Sequence, residues 1–331
     1  MTSWLSLFGG LVLLYLGAQT LIKGGTGLAL RLGLTPLVIG LTVIAYGTSS
    51  PEMVVSLQAS LSGNGAIAIG NVVGSNICNI ALILGLCSLV TPVTASSQII
   101  RREIPIMIAV SILLCGFLLD NTLARWEGAL LFLGVIIYTV TTVRSARKQT
   151  EVDRVAASKL AAERKNTTAL PNDGETQLKK LSLAASVGFT LLGLGVLVAG
   201  SHLFVEGAVA LAQGWGISQT VIGLTIVAVG TSMPELATSL MAAIRKESDV
   251  AIGNIVGSNI FNVIGILGLS ALIKPMSAPG ISLIDLSIML AIAVALLPLC
   301  KSGGRISRME GAMLLLVYAG YTSWLIFNSA A

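Results

Sequence analysis

AYGTSSPE occupies residues 45–52 and AVGTSMPE residues 228–235 of a 331-residue chain. Both octets lie inside long apolar runs. Each places glycine, proline and an acid where a membrane helix should be smooth and uncharged. The second copy follows the first by 183 residues, and that offset superposes the two halves of the chain without a gap. Residues 40–86 laid on 223–269 give about 26 identities in 47 positions. GLTVIAYGTSSPE meets GLTIVAVGTSMPE, and AIGNVVGSNICN meets AIGNIVGSNIFN. The same offset pairs Gly17 with Gly200, Gly33 with Gly216, and RWEGALLF at 125–132 with RMEGAMLL at 308–315. Similarity this extended marks duplication of a whole structural unit, not one motif copied by chance. The RxEGA pair is read as the start of the last helix in each unit.

Composition sets the class. The chain is 54% hydrophobic and 11% charged, with a mean hydropathy of +0.90. An ordinary soluble domain has about 25% charged residues, so this is an all-α polytopic membrane protein. Hydropathy predicts ten spans, at 4–22, 35–61, 66–90, 103–120, 126–143, 183–205, 218–243, 250–273, 282–300 and 307–327. The first has no basic leader and is long enough to cross a bilayer, so it reads as a helix and not as a cleaved signal. The long polar segment 144–181 reads as a loop with some helical content, between a first repeat at 1–143 and a second at 182–331. The motif regions are 40–86 and 223–269.

Five spans per unit is an odd number, so the second unit enters the membrane from the opposite side. The product is an inverted-topology repeat, whose pseudo-two-fold axis lies in the membrane plane. Secondary transporters are built this way, with their sites at the repeat interface near the midplane. Orientation follows from Lys and Arg. With both termini outside, 18 of the 20 basic residues fall in inside segments, and only Arg125 and Lys274 fall outside. The same bias accounts for the net charge of +5 without nucleic acid. The expected location is the inner membrane of a prokaryote, with the 144–181 loop in the cytoplasm.

The repeated segments carry the chemistry. Pro51 has no N–H for the carbonyl of Gly47, and its ring crowds that carbonyl. The second helix should break there and free carbonyls around 45–48, which need a partner in a membrane. Thr48, Glu52 and Ser56 share one helix face, with Ala45 a turn earlier. The counterparts are Ala228, Thr231, Glu235 and Ser239. The third helix has a stripe of Asn71, Ser75 and Asn79, repeated as Asn254, Ser258 and Asn262. Asn71 and Asn254 also suit a role as interhelical glue, and Gly70 and Gly74 suit close helix approach. A charge at the bilayer centre costs about 2.5–3.5 kcal/mol even on the mild insertion scale. Glu52 and Glu235 are the acids placed deep in the membrane, whereas Asp120, Glu127, Glu206, Asp285 and Glu310 fall near helix ends. Two facing glutamates with hydroxyl, amide and carbonyl oxygens form an all-oxygen cage suited to hard cations, Ca²⁺ or several Na⁺.

GTSxPE followed by GSNIxN, twice and in order, resembles the sodium/calcium exchanger family of the cation/calcium antiporters. The resemblance covers the transmembrane parts. It implies ten helices, both termini outside, and exchange of Ca²⁺ for Na⁺ by alternating access. It implies Glu52 and Glu235 as shared Ca²⁺ and Na⁺ ligands. Thr48, Thr231, Ala45 and Ala228 would offer carbonyls, and the two threonines hydroxyls as well. Ser49, Ser75, Ser232 and Ser258 would complete Na⁺ subsites, with Asn79 and Asn262 lining the middle. Potassium-dependent members have Asp at the position of Asn262, so the Asn here speaks against K⁺ cotransport. The GTSxPE form differs from the GNxxE pattern associated with proton-coupled relatives, which favours Na⁺. The loop is too short for the regulatory calcium-binding domains of animal exchangers.

Other classes find little support. His202 is the only histidine, and Cys78, Cys87, Cys115 and Cys300 lack metal-ligand spacing, so they read as packing residues. No HExxH or nucleophile–base pair suggests an enzyme, and inverted repeats with broken helices favour a carrier over a channel. The expected partners are Ca²⁺, Na⁺ and the lipid bilayer, with no cofactor, nucleic acid or obligatory protein. An H⁺-coupled Ca²⁺ antiporter is the alternative, because a desolvated glutamate can carry a proton.

Overall fold

The computed structural model describes residues 2–165, 181–215, 228–277 and 281–329. Its helices are α1 (Thr2–Leu32), α2 (Pro36–Thr48), α3 (Ser50–Leu61), α4 (Gly65–Val90), α5 (Ile99–Asp120), α6 (Arg125–Lys165), α7 (Leu183–Gly214), α8 (Ala228–Thr231), α9 (Met233–Ile244), α10 (Ser248–Ile273), α11 (Leu283–Lys301) and α12 (Arg308–Ser329). Among the described residues, eight helices are long and apolar enough to cross a membrane, and α2 with α3 forms a ninth span bent by 47°. Of the expected span 218–243, residues 218–227 lie outside the described residues; α8 and α9 are the rest.

Two boundaries differ from the hydropathy reading. The first helix runs ten residues beyond 22, so Lys23 and Arg31 lie on it and not in a loop. Gly24, Gly25 and Gly27 look like breakers but are contact points: a side chain on Gly24 would strike Thr190, on Gly27 Ser186, and on Gly25 Ile39 and Ile44. Their backbone is satisfied by continuing the helix. The fifth span also continues through the first part of the 144–181 segment, to Lys165. Residues 166–180 of that segment lie outside the described residues.

The 183-residue offset is a geometric two-fold. Gly10, Gly17 and Gly24 of α1 abut Phe204, Leu197 and Thr190 of α7. Reciprocally, Gly193, Gly200 and Gly207 of α7 abut Leu21, Leu14 and Leu7 of α1. A Cβ on any of the six would come closer than 3.0 Å to the facing backbone. Small residues at seven-residue spacing thus let two helix backbones touch. The numbers rise along one helix as they fall along the other, so these equivalent helices are antiparallel. A two-fold axis that relates antiparallel helices lies perpendicular to them, hence in the plane of the membrane. The repeats are inverted.

Short strands tie the ends together with the same symmetry. β1 (Val93–Thr94) pairs with β4 (Arg305–Ile306), and β2 (Thr122–Leu123) with β3 (Met276–Ser277). Val93 faces Ile306, and their counterparts Met276 and Leu123 face each other. The Arg125 guanidinium donates to the carbonyl of Ile273 at 3.1 Å, and Arg308 to that of Val90 at 3.3 Å. The two RxEGA arginines therefore close carbonyls that α10 and α4 leave open at their C-terminal ends. The molecule has two faces. Arg102, Lys246 and the C-terminal end of α1 lie toward the β1–β4 face, and Lys274, Arg125 and the N-terminal end of α11 toward the β2–β3 face.

At the centre stand α4 and α10, whose most apolar windows are 78% and 83% buried, against 11–33% for the other spanning helices. Their many Gly, Ala, Ser and Asn residues suit this position. Small side chains admit neighbours on every side, and polar ones find partners there.

Candidate cation site

The helix breaks where the GTSxPE octets sit. Ser49 has ψ 9° and Ser232 ψ 9°, far from helical values, and each is followed within two residues by proline in the first turn of the next helix. Proline is tolerated in a first turn because no intrahelical acceptor needs its missing N–H. The break places Glu52 and Glu235 in the first turns of α3 and α9, where helix N–H groups favour negative charge. Opposite them, the α-helical ladder widens to i→i+5 bonding at Cys78–Leu84 and Asn262–Leu267. Such wide turns recur at functional sites, and here they carry Asn79 and Asn262.

The two breaks interlock through the repeat partner. Ser49 Oγ donates to Glu235 Oε1 at 2.7 Å, and Ser232 Oγ donates to Glu52 Oε1 at 3.0 Å. Ser232 also lies 3.4 Å from Ser75 Oγ. Asn262 Nδ2 donates to Asn76 Oδ1 at 3.0 Å, and its counterpart Asn79 donates to Asn259 Oδ1 at 3.4 Å. Asn71 Nδ2 donates to Ser56 Oγ at 3.0 Å, and Asn254 Nδ2 to Ser239 Oγ at 2.9 Å. Thr48 donates to Asn254 Oδ1 at 3.2 Å. The carbonyl of Ala45 accepts the N–H of Ser49 at 3.0 Å, with Thr48 Oγ1 at 3.3 Å and Ser258 Oγ at 3.5 Å. It is therefore more fully engaged than a simple proline break implies. In the second repeat, the carbonyl that Pro234 leaves without an N–H is that of Gly230. It accepts Ser201 Oγ at 2.7 Å.

Four oxygens remain. Glu52 Oε2, Glu235 Oε2, Asn79 Oδ1 and Asn262 Oδ1 are buried and accept no hydrogen bond. They form two symmetry-related pairs, and each parent residue is 1% exposed. The other buried unpartnered side-chain atoms among the described residues are hydroxyl oxygens, which can rotate a proton toward a weak acceptor. A carboxylate or amide oxygen cannot. Nor is the charge balanced by protein. Among the described residues, the ion pairs are Arg102–Glu103 and His202–Glu206, and neither touches the glutamates. Two buried carboxylates without a counter-charge are untenable in a low-dielectric interior unless something positive joins them. The residues fit a hard cation: acceptor oxygens only, held by hydroxyl and amide donors on their far sides.

Of the twelve residues singled out from sequence, Glu52, Glu235, Ser49, Ser232, Thr48, Ser75, Ser258, Asn79 and Asn262 are buried in this cluster, as is Ala45. Thr231 lies at its edge, lining cavities on two sides. Ala228 begins α8, one turn before Thr231. Asn71 and Asn254 each make an interhelical hydrogen bond, to Ser56 and Ser239, as in the structural alternative to a ligand role. Sequence reasoning passed over Asn76 and Asn259. They hold the Asn79 and Asn262 amides by the nitrogen, which turns the oxygens free. Their signal was present, because GSNI recurs in both halves, but they fall one residue off the stripe that periodicity selects.

Comparisons with known proteins agree with this construction. A family model described as "Sodium/calcium exchanger protein" matches residues 2–144 and again 185–327. The chain is 40% identical over 327 residues to the putative antiporter CaxA of Alkalimonas amylolytica, covering 97% of each chain. It is 38% identical over 323 residues to the inner membrane protein YrbG of Escherichia coli, covering 96% of this chain and 93% of that one. Among solved structures, the sodium-calcium exchanger NCX_Mj soaked with Na⁺ and Sr²⁺ superposes with a TM-score of 0.78 at 29% identity, covering 96% of both chains. With the family model matched in both halves and relatives 38–40% identical over nearly the whole chain, this chain belongs to the sodium/calcium exchanger family.

Proposed function

We propose that the protein exchanges Na⁺ for Ca²⁺ by alternating access, using one shared site built on Glu52 and Glu235. The observation that carries this reading is the set of four buried, symmetry-related oxygens without donors. In it, Ca²⁺ takes the two carboxylates with Asn79 and Asn262 oxygens, and the carbonyls of Thr48 and Thr231 raise the oxygen number toward the six to eight that Ca²⁺ prefers. Na⁺ ions occupy flanking positions that use Ser49, Ser75, Ser232 and Ser258 with the Ala45 and Ala228 carbonyls. Each carboxylate serves both ions, so the two compete and cannot cross together. The solved NCX_Mj structures, described as sodium-calcium exchangers, support Na⁺ and Ca²⁺ as the pair.

The clustering of Arg102, Lys246 and neighbouring bases on the β1–β4 face supports that face as cytoplasmic, with both termini outside. The name of the Escherichia coli relative supports an inner-membrane location. Residues 1–143 and 182–331 then act as the two repeats, joined through a cytoplasmic 144–181 segment.

The test is Ca²⁺ uptake by Na⁺-loaded proteoliposomes diluted into Na⁺-free buffer. Uptake should require the Na⁺ gradient, and Glu52→Gln or Glu235→Gln should lower it by at least ~100-fold, since each removes a charge that both ions need. Uptake that ignores Na⁺ removes the coupling, and full uptake in both variants removes the site. One other reading has an observation behind it. Protons would also neutralise the two uncompensated carboxylates, giving H⁺-coupled Ca²⁺ exchange. A pH jump without Na⁺ that drives Ca²⁺ uptake would select it.

A further inference from the structure

A cavity of about 530 Å³ runs between α4, α11 and α12 toward the β2–β3 face. Cys78 of α4 and Tyr318, Tyr321 and Thr322 of α12 line it, and Thr231 stands at its inner end. The 183-residue offset gives the first four counterparts in the other half: Phe261 of α10, and Val135, Tyr138 and Thr139 of α6. The two-fold therefore marks a place on the β1–β4 side of the site that corresponds to the cavity. Tyr46 of α2 occupies it. Its ring stacks on Phe261, with centroids 4.2 Å apart and planes at 22°. Its hydroxyl lies 2.7 Å from Thr139 Oγ1. Thr139 Oγ1 already donates to the carbonyl of Val135 at 2.7 Å, so Tyr46 is the donor. The side chain thus bridges α10 and α6 at the counterparts of Cys78 and Thr322.

The twin positions are not built to do the same. The counterparts of Tyr46, Phe261 and Gly265 are Val229, Cys78 and Leu82. Gly265 makes room for the stack, because a Cβ there would lie 2.5 Å from the Phe261 ring. Valine at 229 carries neither a ring to stack on Cys78 nor a hydroxyl to offer Thr322. On that side the larger residue is Tyr318, whose counterpart is Val135, and it stands in the cavity wall. The repeats are nearly identical in GTSxPE and GSNIxN and diverge at this set of positions just outside the site.

We infer that Tyr46 is the plug that holds the β1–β4 side of the exchanger shut: its ring must leave Phe261 and Thr139 before the site can open to that face. This rests on the reading of the buried cluster as the transport site. Tyr46 is a positioning residue, which acts by setting the face to which the loaded site opens. The stack holds the ring by aromatic contact. The hydroxyl fixes one seated position, because a buried donor that loses its acceptor is costly. Both contacts belong to the conformation shut on this side, so removing them moves protein toward the conformation open there.

The experiment is exchange of radiolabelled Ca²⁺ for Ca²⁺ in oriented proteoliposomes, with the KM measured at each face while the other is saturated. In obligatory exchange only the loaded site crosses. The KM at a face is then the site's dissociation constant there multiplied by the fraction of loaded protein open to that face. Tyr46→Val installs the residue of the twin position and should raise the fraction open to the β1–β4 face. The KM at that face should rise about 3- to 10-fold, and the KM at the β2–β3 face should fall. Tyr46→Phe keeps the ring and loses the hydroxyl, so it should shift both values in the same directions by a smaller factor, about 2- to 5-fold at the β1–β4 face. Where Tyr46→Val does not fold, Tyr46→Phe carries the test alone. Unchanged KM values overturn the inference, as does the reverse pair of shifts. A rise at both faces also overturns it, since that is the mark of a damaged site. Absence of Na⁺-dependent Ca²⁺ flux in the unmodified protein would instead overturn the transport reading itself.

Discussion

The two GxxxG stretches of the central helices differ in sequence only by Val72 against Ile255, yet they differ in surroundings. In α10, a Cβ on Gly257 would lie 2.6 Å from the carbonyl oxygen of Leu41 and 2.9 Å from the Ala45 Cβ, and one on Gly253 would lie 3.0 Å from the Leu37 carbonyl. The α2 segment is seated directly on these glycines. Among the described residues, a Cβ on Gly74 of α4 would meet nothing within 4 Å, and one on Gly70 would meet Ile281 at 3.5 Å. Both of these line the cavity that leads toward the β2–β3 face. One motif is covered by α2, while its twin lines a cavity; residues 220–227, counterparts of 37–44 in α2, lie outside the described residues. A difference of this kind between two repeats of one sequence is what the proposed alternating access requires.

Mutations that treat the twins alike or differently can break this comparison. The largest contrast should come from the glycines. Gly257→Ala forces the Leu41 backbone away and should destabilise by about 1–3 kcal/mol, read as a clear fall in melting temperature in detergent. Gly74→Ala adds a methyl at the wall of the cavity and should change the melting temperature little. Equal losses from both would mean that the packing difference is not a property of the protein in solution.

The asparagines that orient the site should behave as twins. Asn76→Ala and Asn259→Ala each free an amide of the proposed site to turn, and each should weaken Ca²⁺ binding about 10-fold, the usual cost of losing an outer-shell partner. Calorimetric titration of purified protein would measure it. An effect from only one of them would show that the site is asymmetric in use, despite its symmetric bonds. The smallest effect should come from Ser201→Ala, which removes the donor to the Gly230 carbonyl and should cost about 1 kcal/mol. The first repeat has Ala18 at that position, and Ala18→Ser should bring no matching gain in thermal stability.

The site was partly legible because its parts are local. GTSxPE announces a break and an acid within eight residues, and an i, i+4 stripe announces which polar side chains share a face. Asn76 and Asn259 were less legible because they act through amides 186 and 180 residues away. Periodicity along one helix carries no information about which amide the opposite repeat presents. Helix ends were misjudged for a related reason. Lys23 ends the apolar run that hydropathy reads, and Gly24 and Gly27 become contact points once α7 lies against α1.

The sequence by itself determined the class, the duplication and the inversion. Hydrophobic length, a gapless offset and an odd span count are one-dimensional quantities, and the bilayer converts them directly into topology. Only the tertiary structure decided that each serine of GTSxPE binds the carboxylate of the other repeat, that four oxygens are left without donors, and that one pair of glycines is covered while its twin borders a cavity. Those features arise where two distant segments meet. A repeat unit encodes its own half of such a contact, and the packing of both halves decides how the two differ.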